Sequence, residues 1–508
     1  MCVTVTRDVD ADFLALPLRA VADAALSAAR TAGAQHADVR VHRVLTQSIR
    51  LRDGVVQAVS DGDEIGVAVR VIVDGTWGFA SHADVSPDVA AALARQAVEV
   101  AKALRSLNRD PVTLADEPVY ADATWVSPYL EDPFATPTAD KVALLVDYSG
   151  RLQAADGVDH VTASVLQVKE QTFYADLAGS SITQQRVRLH PEFEATAVDK
   201  SAGSFESMRT LAPPVGRGWE YLGAQSTWNW GEELAQIPEW LAEKTKAPTV
   251  EAGPADLVID PTNLWLTIHE SIGHATEYDR AIGYEAAYAG TSFATPDKLG
   301  TLKYGTPLMH VTADRNEEHG LASVGFDDDG VASQRWDLVA EGTLVGYQLD
   351  RVFAPRLGLT RSNGCSYADS AHHVPIQRMA NVSLSPDPST DTSTADLISR
   401  VENGIYVVGD KSWSIDMQRY NFQFTGQRFF KIRDGKLDGQ VRDVAYQATT
   451  TDFWGSMEAV GGESTWRLQG AFNCGKAQPG QVAAVSHGCP SALFRGVNIL
   501  NTRSEAQQ

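Results

Sequence analysis

His269, Glu270 and His274 fall within one short stretch, His269-Glu270-Ser271-Ile272-Gly273-His274, whose residue types offer chemistry at once. Imidazole nitrogen is a good zinc ligand, and an adjacent carboxylate can take a proton from water activated by the ion. The familiar helical zinc motif has the form H-E-x-x-H, with its histidines four apart. Here Gly273 lengthens the interval to five. On a regular helix five residues rotate a side chain by roughly 140°, against roughly 40° for four. Two ligands of one ion cannot diverge that far. A metal site therefore requires the helix to deform or end near Gly273, a residue that tolerates such a backbone. The competing reading, two unrelated histidines and a solvated helix carboxylate, leaves their co-occurrence unexplained.

A catalytic zinc usually has three protein ligands and one open position. The third must come from elsewhere in the chain. Cys474, Cys489, His310, His319, His372, His373 and His487 are the candidates. Cys474 sits in Ala471-Phe472-Asn473-Cys474-Gly475-Lys476, which reads as a short glycine-bearing loop, and Cys489 sits in His487-Gly488-Cys489-Pro490. Chemistry alone ranks neither thiol above the other, and a lone cysteine is commonly just a small buried one. His372 and His373 are adjacent, so an extended chain points them to opposite faces. Asp327-Asp328-Asp329-Gly330 lacks the ligand spacing of a calcium loop and reads as a solvated β-turn. No P-loop, dinucleotide fingerprint or nucleophile elbow occurs in the sequence.

The elements that must position these residues follow from periodicity. Residues 14–32 and 86–107 show helical spacing of Ala, Val and Leu. Between them, residues 38–82 alternate, punctuated by Asp53-Gly54, Asp61-Gly62 and Asp74-Gly75 as hairpin signals. A helix over 139–155 precedes strand-like segments at 158–170, 171–186 and 191–198. Residues 201–227 read as irregular, and 232–246 as another helix. Ala247-Pro248 opens a linker, which places the main boundary between domains 1–247 and 248–508. A short strand at 256–259 then leads to the motif helix, beginning at Thr262. Beyond 286 the pattern is mostly antiparallel β. The expected fold class is α+β: an N-terminal α/β domain with an antiparallel meander, then a mainly β domain carrying the motif helix.

Composition narrows the function. With 43 basic against 65 acidic residues, the net charge of −22 argues against nucleic acid and against an anionic membrane surface. The N-terminus carries Arg7, Asp8, Asp10 and Asp12 before any apolar stretch, and no apolar run reaches a membrane span. The four cysteines, Cys2, Cys365, Cys474 and Cys489, form no C-x-x-C pair. The expected compartment is the cytoplasm.

Several stretches together resemble the TldD/PmbA family, in its metal-bearing TldD-type branch. Leu266-Thr267-Ile268 with the His269–His274 motif resembles the family's H-E-x-x-x-H helix. Gly325-Phe326-Asp327-Asp328-Asp329-Gly330 resembles its acidic turn, and Arg361-Ser362-Asn363-Gly364 with Ser366-Tyr367, Pro375, Arg378, Met379 and Asn381 its substrate-side segment. Asn403-Gly404-Ile405-Tyr406 resembles a further shared stretch, and Asn473-Cys474-Gly475-Lys476 its late T-C-G-K loop, with Asn473 in place of Thr. The resemblance implies an α/β domain followed by a largely β domain. It also implies a zinc peptidase with His269, His274 and Cys474 as ligands and Glu270 as general base, ranking Cys474 above Cys489. Flexible or unfolded peptides are the implied substrates. The implied assembly is a homodimer, or a heterodimer with a PmbA/TldE-type paralogue. Tyr367, His373 and Arg378 are the candidates for substrate binding and for the oxyanion donor that such a reaction needs. Two other readings compete: a non-catalytic partner subunit with a structural metal, and a metal amidohydrolase acting on small molecules.

Overall fold

Two Asp-Gly pairs lay out the first half of the chain. Asp53 (φ 52°) with Gly54 (φ 73°), and Asp74 (φ 48°) with Gly75 (φ 74°), take the left-handed conformations of tight hairpin turns. They join the antiparallel strands His36–Arg52, Val55–Val73 and Thr76–His82. A computed structural model describes residues 8–200, 203–223 and 225–505, so Cys2 and Arg7 lie outside the described residues. In it the sheet continues from His36–Arg52 through His160–Asp176 and Ser181–Asp199 to Ala123–Val126, with Ser204–Arg209 also pairing with Ser181–Asp199. Helices Leu18–Ala32 and Pro87–Leu104 pack through Ala25, Ala29, Ala94 and Ala97 over Val39, Val67, Val69 and Val71. Helices Thr138–Gln153 and Trp230–Lys246 close a second core with Leu145, Phe193 and Leu241.

The meander differs from expectation at two places. Asp61-Gly62 is not a turn; it runs on inside Val55–Val73, opposite Gln47 and Thr46. Gly62 serves a close approach instead, since a side chain there would meet Thr46 Oγ1 at 2.5 Å. The three strand-like segments over 158–198 are two long strands. Pro191 stays in the ladder opposite Val165. Its missing N–H falls between the stretches that pair with Ala123–Val126 and Ser204–Arg209, where no ladder bond is needed.

In the second half, Gly253–Ile259 pairs parallel with Asn403–Ile415 and antiparallel with Ala492–Asn501. Val444–Thr449 and Asn421–Arg433 continue the sheet, and Asn421–Arg433 pairs back onto Asn403–Ile415, so the strands close into a ring. A second sheet of Thr343–Leu344, Arg335–Ala340, Val311–Asp314 and Asn381–Leu384 lies alongside. A two-stranded ribbon, Arg467–Lys476 with Gln481–Cys489, carries the segment 473–476, which is therefore strand and not loop. The fold is mixed α+β with mainly antiparallel sheets. No helix among the described residues is long and apolar enough to cross a membrane.

The acidic turn, expected to be solvated, is buried between the two halves. Asp327 and Asp329 are 3% and 4% exposed. Asp328 pairs with Arg40 at 2.5 Å and Asp329 with Arg70 at 2.6 Å, both from the N-terminal sheet. Asp327 accepts backbone N–H bonds from Asp329, Val331 and Ser366. Gly330 (φ 75°) lies so close to the Tyr174 ring that a side chain would meet Cε1 at 2.6 Å. Breaking a buried pair strands one charge away from water. Asp329→Ala leaves Arg70 with Asp38 alone and is expected to destabilise the fold by about 3 kcal/mol; urea unfolding monitored by tryptophan fluorescence measures this, and an unchanged midpoint contradicts the assigned role.

Candidate metal centre

The motif helix starts from a cap. Asp260 Oδ1 accepts from the Thr262 N–H at 3.0 Å, and Pro261 occupies the first turn. All residues of the Pro261–Ile268 helix are buried. Its polar Asn263 is satisfied: Nδ2 donates to the Gly409 and Thr425 carbonyls, and Oδ1 accepts from Tyr446.

At His269 the α-helix gives way to a π-turn over His269–Gly273, and the His274 N–H donates to the His269 carbonyl at 3.0 Å. An i→i+5 bond stacks residues five apart, so the imidazoles of His269 and His274 meet with ring centroids 4.6 Å apart. The helix thus deforms as the spacing required. Carbonyls near the altered turn find side-chain donors: Tyr304 Oη donates to Ser271 O, and Gln348 Nε2 donates to Gly273 O at 2.7 Å. Trp454 Nε1 donates to Ser271 Oγ at 3.0 Å. A side chain at Gly273 would meet Met379 Sδ at 2.6 Å.

The ribbon brings Cys474 to this turn. Donor atoms of His269, His274 and Cys474 all lie within 4.8 Å of one another, and all three residues are buried. Zinc bonds of roughly 2.05 Å to nitrogen and 2.3 Å to sulfur at a tetrahedral angle separate two donors by about 3.6 Å. Cys474 Sγ and His274 Nε2 are 3.6 Å apart.

Hydrogen bonds select the nitrogens that face this pocket. The Val382 carbonyl, 2.8 Å from His487 Nδ1, can only accept, so that nitrogen carries the proton. His487 Nε2 then accepts from His269 Nδ1 at 2.7 Å, which leaves His269 Nε2 with its lone pair. His274 Nδ1 donates to Glu277 Oε2 at 2.8 Å, leaving its Nε2 toward the thiol. Glu277 is held by Arg280 and by Lys476, each at 3.1 Å. Lys476, on the same strand as Cys474, also bonds Asp279 at 2.8 Å. Orienting contacts of this kind fix ring position and raise ligand basicity.

Protonation follows the same arrangement. Burial pushes the imidazoles of His269 and His274 below their ordinary range, favouring the neutral form that binds metal. Burial opposes ionisation of Cys474, but adjacent His274 and then Arg378 outweigh it and hold the thiol below its ordinary value. Burial would likewise raise Glu277, yet Lys476, His274 and Arg280 hold it well below the carboxylate range. The set fits a zinc ion: two imidazoles and a thiol with their donors turned to one pocket, and a Cys474–His274 separation that matches.

Glu270 lies beside His269 in the sequence and is buried; its Oε2 accepts from Arg419 Nη1 at 2.6 Å. Of the other residues singled out in the sequence, only His487 and Arg378 touch the donor residues. Cys489 points at the Pro261 carbonyl, 3.7 Å away, and burial pushes its thiol well above its ordinary value. His319 faces the Gly216 carbonyl, His372 faces Ser81, and His310 is exposed. His373 bonds Asp369 at 2.6 Å. Tyr367 donates to Glu170 at 2.6 Å. Arg378 is 1% exposed and spans the Cys474 and Gln481 carbonyls, bracing the ribbon. Sequence reasoning weighed His487 only as a ligand and missed Glu277, Lys476 and Arg419. Glu277 alone left a local signal, three residues after His274 on a helical path.

Comparison with known proteins gives the family. The PmbA/TldA metallopeptidase C-terminal domain matches residues 252–501, and the PmbA/TldA metallopeptidase domain 1 matches residues 37–101. A metalloprotease of Methanothermobacter thermautotrophicus is 29% identical over 469 residues, covering 92% of this chain and 96% of its own length. A zinc metalloprotease TldD homolog of Saccharolobus solfataricus is 22% identical over 482 residues, covering 92% and 97%. Among solved structures, a protein of Thermotoga maritima described as a modulator of DNA gyrase superposes with a TM-score of 0.73 at 15% identity, covering 94% of this chain and 99% of that one. TldE of Thermococcus kodakarensis does so with 0.68 at 15% identity, covering 93% and 98%.

Three substitutions probe the pocket by competitive zinc chelation. Cys474→Ser is expected to lose tight binding while Cys489→Ser keeps it, and the reverse result transfers the third donor to Cys489. His487→Phe, which leaves all three donors in place, is expected to weaken zinc binding about 10- to 100-fold.

Proposed function

The chain belongs to the TldD/PmbA family, and from that premise we propose that it is a zinc-dependent peptidase with His269, His274 and Cys474 as the ligands. The observation that carries the proposal is the convergence of these three donors within 4.8 Å, one residue away from the buried carboxylate of Glu270. When bound, zinc supplies Lewis acidity toward a peptide carbonyl and toward water.

The remaining steps belong to the chain's own side chains. Glu270 is the general base. Arg419 holds Oε2, so Oε1 is the atom that takes the proton from water and returns it to the leaving amide nitrogen. Arg419 itself sits in a strained turn (φ 62°), and its Nη2 donates to the Ala289 carbonyl at 3.3 Å. It is the cation in contact with the base, and we assign it the charge-stabilising role for which the sequence offered Tyr367, His373 and Arg378.

Flexible or unfolded peptides are the proposed substrates. His269, Glu270, His274 and Cys474 are each 4–5% exposed, which supports an enclosed site that a folded protein surface does not enter. The two-domain division at 247/248 is proposed on the same footing. It is supported by the N-terminal sheet ending at Arg209 and the ring of strands starting at Gly253. The proposed assembly is a dimer, with a second copy or a PmbA/TldE-type paralogue, and its support is the shared fold with TldE.

Glu270→Gln is expected to retain zinc and lose cleavage of an unstructured protein such as casein by about 10²–10⁴-fold. Metal analysis and proteolysis of the same preparation test this; full activity with bound zinc removes Glu270 from the mechanism. Cleavage of small amides with casein untouched favours the amidohydrolase reading.

A further inference from the structure

A second polar chamber lies where the N-terminal sheet meets the C-terminal half. It consists of two cavities of about 20 and 250 Å³ that share Trp125, Arg186, Arg315 and Val324 as lining. Arg188 lines the larger cavity, and His42 and Glu170 line the smaller. Arg186 and Arg188 come from the Ser181–Asp199 strand, and Arg315 from the loop following Val311–Asp314.

Ion pairing in the chamber is uneven. Glu170 pairs with both Arg186 and Arg188, the latter at 2.8 Å. Arg315 is 3% exposed, yet among the described residues its guanidinium forms no ion pair, and its Nε has no hydrogen-bond partner. The Nε of Arg188 and both ring nitrogens of His42 are also buried without a hydrogen-bond partner, His42 Nε2 standing 3.9 Å from Glu170. The neighbouring acids are engaged elsewhere: Asp328 pairs with Arg40, Asp327 accepts three backbone N–H bonds, and among the described residues neither forms an ion pair with Arg315. Glu317 and Glu318 line the larger cavity, and the Glu318 side chain is largely exposed. A buried guanidinium without an ion-pair partner is costly, and a ligand that completes it removes that cost.

We propose that this chamber is a binding site for a carboxylate-bearing ligand, gripped by Arg315 with Arg186 and Arg188. Planar guanidinium forks match a carboxylate, and Arg186 with Arg188 already holds one, that of Glu170. A singly charged carboxylate is repelled less than a phosphate dianion by Glu170, Glu317 and Glu318, which share the chamber with the three arginines. The Leu321 N–H, in the chamber wall, donates to Ser486 Oγ at 3.0 Å, one residue before His487. The site therefore abuts the ribbon of the metal centre, but its existence does not depend on the peptidase reading.

Calorimetric titration of the full chain tests the proposal with four probes: glutarate, an acetylated tripeptide with a free C-terminus, its C-terminal amide, and inorganic phosphate. Wild type is expected to bind at least one carboxylate probe and to ignore the amide. Tighter binding of the tripeptide acid identifies a peptide end as the ligand, and equal or tighter binding of glutarate identifies a free small carboxylate. Arg315→Met is expected to weaken binding at least about tenfold with a Tm in the absence of ligand that is equal or higher, since it removes an unpaired buried charge. A merely structural arginine gives the opposite pattern, a lowered Tm with binding retained, and that result overturns the proposal. So does binding of phosphate alone, or of neither carboxylate probe by wild type. Should Arg315→Met not fold, Arg315→Lys keeps the charge without the fork and is expected to bind several-fold more weakly; unchanged affinity there overturns the proposal.

Discussion

One hydrogen bond, from the His274 N–H to the His269 carbonyl, determines what the motif can do. In a regular helix that N–H would bond Glu270, and the two imidazoles would diverge. Moving the bond by one residue stacks them. The move also disturbs carbonyls over the next turn, in a segment with no access to water. A buried polar group left unpaired costs about 1–3 kcal/mol. Tyr304 and Gln348, from distant parts of the chain, supply the missing donors. The π-turn is thus stable only inside this particular surround, and the helix and the sheets around it form one unit.

The second constraint is that charges taken out of water need partners. Around the centre they are tightly organised: Glu277 with Lys476 and Arg280, Asp279 with Lys476, Glu270 with Arg419. Such pairs contribute little net stability, because desolvation offsets most of the Coulomb attraction. Their effect is geometric. Lys476 ties the ribbon strand that carries Cys474 to the carboxylate that orients His274. The thiol and the imidazole are therefore positioned by one linkage. Arg40–Asp328 and Arg70–Asp329 do the same between the two halves of the chain. Against this background Arg315 stands out as a buried cation that forms no ion pair among the described residues.

What the sequence made legible was local. The composition and period showed the α+β class, the Asp53-Gly54 and Asp74-Gly75 turns, and a motif helix from Thr262, one residue inside its actual start at Pro261. The five-residue histidine interval showed that the helix must deform at Gly273. The form of that deformation was not legible, since a π-turn depends on donors such as Gln348 that lie far along the chain. The acidic turn was misread for a related reason. Three consecutive aspartates look solvated until Arg40 and Arg70 are brought against them by the sheet. Asp61-Gly62 carries the same letters as a true hairpin turn, yet the uninterrupted pairing with His36–Arg52 keeps it in the strand. Cys474 and Cys489 were equal as isolated thiols and differ only by surroundings, one against His274, the other against a carbonyl.

The identity of the two groups that orient the histidines bears on the Lewis acidity of the zinc proposed here. His274 leans on a carboxylate, but that charge is spent on Lys476 and Arg280. His269 leans on His487, which burial and the neighbouring His269 hold well below its ordinary pKa and hence neutral. Glu270 is offset by Arg419. A thiolate at Cys474 would then be the main uncompensated negative charge toward a bound ion, and a divalent cation held there would keep about half its charge for the substrate. A carboxylate in place of His487 would give the same hydrogen bond to His269 Nδ1 and the same ring orientation, but would add a further negative charge and weaken the pull on a carbonyl or a water. A neutral imidazole acceptor provides orientation without that loss, which gives a physical reason for a histidine, and not an aspartate or glutamate, behind the first ligand.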